Sequence, residues 1–443
     1  MTRTGLFVLI VSGLAISPSQ AQQIEAPPRA SGVTRGERPV DPQRNRQEVT
    51  AQTNILVGYD DNLISSATTT PFSPRDSGYT GAGTGMLRFF SGRDRHSIDI
   101  SGRGLVNSYE TLGSSYGGRV DVLGETMVGR TEVSGFQSVR SMPFFALGVF
   151  GPLTQELGAE SPDTNPSNGL TADRSLATDS VGSVRRQWTR SFVSDGSYTF
   201  SRQTYSGGTA FDSRTHAGSI GAERNLGRNT AIRTSYRYSD SEHIEVTGQR
   251  LPQTDHNVDV GLEQRRRVSR SRQVSLSVGA GALHVDTLNT STRAPLSYWT
   301  PSGRGSLQYD FGRTWSVAGN YRRGLSVLNG LQPASYISDT VSIRTGGFIG
   351  ERVESAWIAG YGNGHASDDP DTDYYGYTGT AQLRIHLGRG WSWLANINHY
   401  RYRLSEEASV LLGVPGHVHR NALWTGVTWS APLFRRYMRG TTR

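Results

Sequence analysis

The sequence predicts an all-β fold: a transmembrane antiparallel β-barrel of about 18 strands, with short turns at one end and longer loops at the other. Three observations predict it. An export-type leader opens the chain, and no later run is apolar enough to cross a membrane as a helix. The remainder alternates apolar and polar residues with period two. A Gly-Arg turn phrase recurs between the alternating stretches.

The leader is residues 1–21, "MTRTGLFVLIVSGLAISPSQA". Arg3 supplies a basic start, Leu6 to Ile16 an apolar centre, and Ser19-Gln20-Ala21 a small-x-Ala cleavage site, the pattern of a cleaved signal peptide. A spanning helix needs about 20 apolar residues, and none follows. An exported chain of this kind is either soluble or an outer-membrane barrel. Residues 22–48 carry four prolines, mixed charge and almost nothing apolar, so they are expected to form a flexible Pro/Arg-rich periplasmic arm.

From residue 49 to 434 the texture is that of strands. "QVSLSVGAGA" sorts Val274, Leu276, Val278 and Ala280 from Gln273, Ser275, Ser277 and Gly279. "TWSVAGNYRR" separates Trp315, Val317, Gly319 and Tyr321 from Ser316, Ala318, Asn320 and Arg322, and "AQLRIHLG" behaves likewise. Alternation of this kind gives a strand one apolar and one polar face. Strands are expected to start near Thr53, Tyr79, His96, Arg119, Thr131, Ser180, Ser191, Thr215 and Thr230. The second half of the series starts near His256, Gln273, Ser302, Thr314, Asp339, Val353, Tyr374, Trp391 and Asn421. Lengths of roughly 10–15 residues suit a tilted membrane strand, which needs about 9–11.

The turn phrases are "SGRDR" (91–95), "VGRTE" (128–132), "LGRNT" (226–230), "FGRTW" (311–315), "GERVE" (350–354) and "LGRGW" (387–391). Glycine beside a polar residue between alternating runs is a hairpin signal. These turns are expected on the periplasmic rim, with long polar loops outside. Phe89, Phe311, Trp315, Trp391 and Trp393 lie near them, where an aromatic girdle belongs. A β-propeller would need four short strands per repeat and a solenoid a shorter period. The last strand, "NALWTGVTWSAPLF", ends at Phe434 with Pro432 expected to weaken its pairing, and residues 435–443 form a short tail.

Composition excludes several functions. The chain lacks cysteine, so it has no disulfides, thiolate metal site or cysteine nucleophile. All 46 basic residues are arginine, but they are spread along the chain and offset by 38 acids, which argues against nucleic acid. "GSSYG" (113–117) matches a nucleophile-elbow pattern but opens no helix and is expected in a short loop, so Ser115 is not expected to be catalytic. His417 and His419 share a face without a third ligand, and "DDPDTD" (368–373) lacks the glycine and glutamate of a calcium loop. No enzyme activity, cofactor or metal is expected.

The chemistry sits on the polar face. Strand phasing puts Arg88, Arg103, Arg119, Arg233, Arg237, Arg265, Arg322, Arg344 and Arg384 there, against Asp99, Asp121, Glu125, Asp259, Glu263 and Asp310. With the apolar face toward lipid, this face lines a lumen wide enough for water, and its charge favours anions. Pairing of these charges across strands is the alternative reading. The longest connection, 147–172, is the third long loop; folded inward, its Glu156, Glu160 and Asp163 would form a constriction.

The phrase "NILVGYDDNLI" (54–64), and more loosely "GSYTF" (196–200) and "WSAPLF" (429–434), resembles the outer-membrane β-barrel porin family associated with exopolysaccharide export gene clusters in Gram-negative bacteria. The resemblance implies a passive outer-membrane conduit for an anionic exopolysaccharide, as in the 18-stranded alginate-export porin. A diffusion porin for small anionic solutes and a structural or adhesion barrel with a plugged lumen are the alternatives. The implied partners are outer-membrane lipid and lipopolysaccharide, the barrel assembly machinery and a periplasmic polysaccharide-export component.

Overall fold

In the computed structural model, residues 45–63, 76–110, 113–143, 174–206, 212–244, 248–269, 271–288, 292–311, 314–327, 335–366, 373–405 and 417–437 are described. They form eighteen strands: β1 (Arg46–Leu63), β2 (Asp76–Arg93), β3 (His96–Tyr109), β4 (Gly113–Val128), β5 (Thr131–Pro143) and β6 (Arg174–Gln187). Next come β7 (Phe192–Tyr205), β8 (Asp212–Asn225), β9 (Thr230–Ile244), β10 (Arg250–Ser269), β11 (Arg272–Leu288) and β12 (Pro295–Phe311). The last six are β13 (Trp315–Val327), β14 (Ser335–Ile349), β15 (Val353–Ala366), β16 (Asp373–Gly388), β17 (Trp391–Leu404) and β18 (His417–Tyr437). Each strand pairs antiparallel with its sequence neighbours, and β1 pairs with β18, closing the sheet into a barrel. Closure satisfies the backbone without an open edge, the condition for a sheet surrounded by lipid.

The turns explain why neighbours pair. Between β16 and β17, Arg389 and Gly390 both take positive φ, 49° and 85°, as a two-residue type I′ hairpin requires. A side chain at Gly390 would also meet the Ser430 carbonyl oxygen at 2.1 Å. Gly129, between β4 and β5, has φ 60°. The six Gly-Arg phrases all lie at this end of the barrel, as expected from their spacing. At the other end one connection, 110–112, is short rather than long.

Several boundaries differ from the sequence expectation. β1 begins at Arg46, inside the segment assigned to the arm, and β18 runs past Phe434 to Tyr437. The two extensions hold each other: Arg46 lies opposite Tyr437, and Arg435 donates to the Glu48 carboxylate. Pro432 does not end the strand. Pairing passes from Thr50–Pro432 to Val49–Phe434, so Leu433 bulges and the strand continues. Residues 113–117 are the start of β4 rather than a loop, with Ser115 opposite Asn107. The signal peptide, residues 22–44 of the arm, the loop 147–172 with Glu156, Glu160 and Asp163, and residues 438–443 lie outside the described residues.

Register assigns the two faces. Ile55, Val57, Val120, Val260, Val278, Leu307, Ile343, Ile397 and Leu423 are exposed and point outward. Phe89, Phe311, Trp315, Trp391 and Trp393 share that outward face near the short turns, and Trp391 lies 6.4 Å from Trp429. An outward apolar band edged by aromatics is what a bilayer selects. The inward face is not uniformly polar. Leu56, Ala82, Leu394, Ala422 and Trp424 form a buried apolar cluster on the inner wall where β17, β18, β1 and β2 meet.

Candidate functional site: the inner wall

All nine arginines expected on the polar face occupy inward register positions. Arg88 lies opposite Ser101, Arg233 opposite Glu223, Arg237 opposite Ser219, Arg265 opposite Ser275, Arg344 opposite Ala318 and Arg384 opposite Glu354. Asp99, Asp121, Glu125, Asp259, Glu263 and Asp310 share this face. Arg46, Arg140, Arg185, Arg267, Arg304, Arg420 and Arg435 also face inward, and sequence phasing missed them. So do Glu48, Asp60, Glu132, Asp179, Asp195, Glu223, Asp255 and Glu354. The additions are nearly balanced in charge, so the wall-wide arginine excess expected from the sequence does not grow with them.

Many of these charges pair. Arg119 Nε donates to Asp121 at 2.7 Å, and Arg304 lies 2.8 Å from Asp259. Arg233–Asp195 and Arg185–Glu223 are each 3.5 Å apart, and Arg384–Glu354 is 3.6 Å. Arg88 donates to Asp99 at 2.8 Å through Nε. Arg420 clasps Asp60 with Nε at 2.8 and 3.0 Å; Asp60 is fully buried, and the pair ties β18 to β1 at the closing seam. A desolvated bidentate pair at this place fixes register, since either partner alone would be a buried uncompensated charge.

Two groups of arginines face one another in addition to meeting their acids. Arg103, Arg119 and Arg140 lie directly opposite one another on β3, β4 and β5. The carboxylates in the adjoining row are Asp121 and Asp179, so three guanidiniums meet two acids there. Like charges directly opposite on a sheet face are destabilising. Arg304 and Arg322 are likewise opposite each other on β12 and β13. In strand order β13 lies half a circumference from β4. Arg103 and Arg322 each stand seven residues beyond the short-turn end of their strands, His96 and Trp315. The two arginine groups therefore lie on opposite walls, with Arg103, Arg304 and Arg322 at the same distance from the short turns and Arg119 and Arg140 two residues further along.

Above that height, toward the long-loop end, inward side chains are buried on most strands, whereas Ser115 and Gly117 on β4 are only half-buried. Asp179, Ser201, Thr215, Ser239, Ser241 and Gln253 are buried from β6 to β10. Val285, Thr300, Tyr336, Tyr374, Tyr402 and Trp424 continue the burial from β11 to β18, and Asp60, Thr80 and Asn107 close it from β1 to β3. Exposures here reach 0 % at Tyr336, Val285 and Ser239. Toward the short turns the inward residues Arg265, Gln308 and Arg344 are exposed. The arginine groups sit between these exposed residues and the largely buried long-loop half of the wall.

Solved structures with a similar course of chain include Acinetobacter baumannii OccAB2, 9% identical, covering 88% of this chain and 98% of that chain with a TM-score of 0.48. Pseudomonas aeruginosa OccK2 (OpdF), solved in complex with glucuronate, is 10% identical with the same coverages and a TM-score of 0.48. The outer membrane protein opdK of Pseudomonas aeruginosa is 12% identical, covering 87% of this chain and 99% of that chain with a TM-score of 0.46. No family model and no curated protein matches the chain.

Proposed function

We propose that the chain is an outer-membrane pore for small anionic solutes, with the opposed arginine groups as its selective level. The observation that carries this reading is the row Arg103–Arg119–Arg140 on the wall opposite Arg304–Arg322, within two residues of the same distance from the short turns. Guanidiniums present planar, bidentate donors that match carboxylate and phosphate. Held side by side, they concentrate positive charge at one level of the wall, so a passing anion is attracted by more than one of them. The acids beside them limit that attraction, which lets the solute leave again.

Passage of an exopolysaccharide, implied by the family resemblance, is the weaker reading. A polymer conduit needs a wide wet lumen along its length, whereas the inward residues of the long-loop half are buried on β1 to β3 and β6 to β18. A small solute needs only brief or local opening there. The plugged structural barrel has no use for the arginine row.

The test is flux into proteoliposomes holding the refolded chain. Small mono- and dicarboxylates should enter faster than neutral solutes of equal size. Equal rates would remove the anion reading, and no flux of either would favour the plugged barrel. A gene deletion that blocks surface polysaccharide while leaving growth on organic acids unchanged would restore the export reading.

A further inference from the structure

Histidine is the side chain that changes charge between about pH 5 and 8, so its distribution over the two faces decides where the wall responds to acid. All ten histidines of the chain lie within the described residues, and only His243 and His386 hold inward register positions. His243 is buried in the long-loop half, 3 % exposed. His386 stands near the end of β16, at the short-turn mouth of the lumen, with its side chain 21 % exposed.

The surroundings of His386 are charged. Its Nε2 lies 3.9 Å from Glu354 Oε2, and Arg384 Nη1 lies 3.6 Å from the same oxygen. Both distances are too long for a hydrogen bond, and neither Glu354 Oε2 nor His386 Nε2 has a hydrogen-bond partner. On the other side of the ring, Ser392 Oγ meets Nδ1 at 3.1 Å, and Phe348 stacks on it with centroids 5.9 Å apart. These two contacts fix the imidazole with Nε2 toward the carboxylate. The inward neighbours on β17, Ser392, Leu394 and Asn396, are uncharged, and β14 brings Arg344. The adjoining turns add Glu351, Arg352 and Arg389, all exposed.

Two cationic groups therefore share one carboxylate whenever His386 carries a proton. With the ring neutral, Glu354 is left to Arg384. Protonation adds a positive charge to the mouth and places an N–H on the atom that faces Glu354. The carboxylate is then drawn toward the ring, and Arg384 is less neutralised by it. We propose that Arg384 and His386 form a second anion-binding site, at the short-turn mouth, that takes small monovalent anions and strengthens with acid, Glu354 being its counter-charge. The inference rests on the pore reading above and adds to it a level whose charge follows pH.

The experiment measures reversal potentials of single channels in a dilute potassium chloride gradient at about pH 8 and about pH 5.5. The anion-to-cation permeability ratio of the unmodified chain should rise about two- to fivefold on acidification, the effect of one added charge a few ångströms from a screened ion. His386→Gln should lose most of that rise, and His399→Gln, at an outward position, should keep it. Glu354→Gln removes the counter-charge and should raise the ratio already at the higher pH. Heat-modifiable gel mobility shows that each variant is folded. A ratio that does not change with pH, a full rise in His386→Gln, or no increase in Glu354→Gln would each overturn the inference while leaving the anion-selective pore in place. A full histidine-dependent rise in a pore without anion preference at the higher pH would sink the arginine reading alone. Absence of current in every chain would remove both.

Discussion

The two ends of the barrel were written in different codes. At the short-turn end, β3, β5, β9, β15 and β17 begin at His96, Thr131, Thr230, Val353 and Trp391, the positions expected from sequence, and β7, β11 and β13 begin within one residue of them. At the long-loop end, β4 begins at Gly113 instead of Arg119, β6 at Arg174 instead of Ser180, and β12 at Pro295 instead of Ser302. The difference is physical. A two-residue turn demands particular φ values, so glycine marks it in the chain. The upper ends of the strands stand beyond the apolar band, where alternation of apolar and polar residues is no longer required and leaves no phase to read.

The same contrast governs the inner wall. Toward the short turns the inward wall is mixed: Arg265, Gln308 and Arg344 are exposed, while Glu48, Val193, Ala231 and Ser392 are buried. Toward the long loops the inward residues are buried on most strands, so each polar group there depends on a partner. The buried half should therefore dominate stability and the level between the halves should dominate selectivity.

The largest effect is expected at the seam. Arg420→Ala leaves Asp60 buried without its partner and should cost about 3–5 kcal/mol, read as a shift in urea unfolding of the barrel in lipid vesicles. A loss no greater than that of Arg265→Ala, in the short-turn half, would erase the distinction between the halves. Next come insertions of charge into the apolar band: Val278→Arg or Leu383→Arg should cost about 2–4 kcal/mol near the midplane by the same assay. A cost near zero would mean that these residues do not face lipid.

At the short-turn end, Gly390→Ala forces a side chain into a left-handed conformation and against Ser430, and should cost at least about 1–2 kcal/mol. Slower folding and a lower unfolding midpoint would show it. The smallest change is expected from Glu242→Gln at the exposed Arg250–Glu242 pair, within about 1 kcal/mol. A larger loss there would show that the outer rim contributes more than its exposure implies.

How much of the wall was legible follows from local context. Arg322 and Arg384 were placed because Val317, Gly319 and Tyr321, and Ala381, Leu383 and Ile385, set the phase around them. Arg304 sits in "PSGRGS", where no apolar neighbour sets a phase, and Arg185 stands beside Arg186, so the inward member of the pair was ambiguous. Arg140 follows Gln137, an outward polar residue that accepts from Ser180 of β6 at 2.5 Å and interrupts the apolar pattern of its own strand. The pairing of Arg420 with Asp60 spans nearly the whole chain and becomes visible only once the barrel closes. The opposition of β4 and β13 likewise needs the strand count and the register together.

The central claim is that anion selectivity resides in the arginine groups between the exposed residues of the short-turn half and the largely buried long-loop half. It is tested most directly by the reversal potential of single channels in a salt gradient. The unmodified chain should prefer anions, and Arg103→Ser, Arg119→Ser and Arg140→Ser combined should remove most of that preference. Arg265→Ser with Arg344→Ser, which removes charge from the short-turn half alone, should leave most of it in place. Loss of selectivity in the second variant with little change in the first would contradict the account.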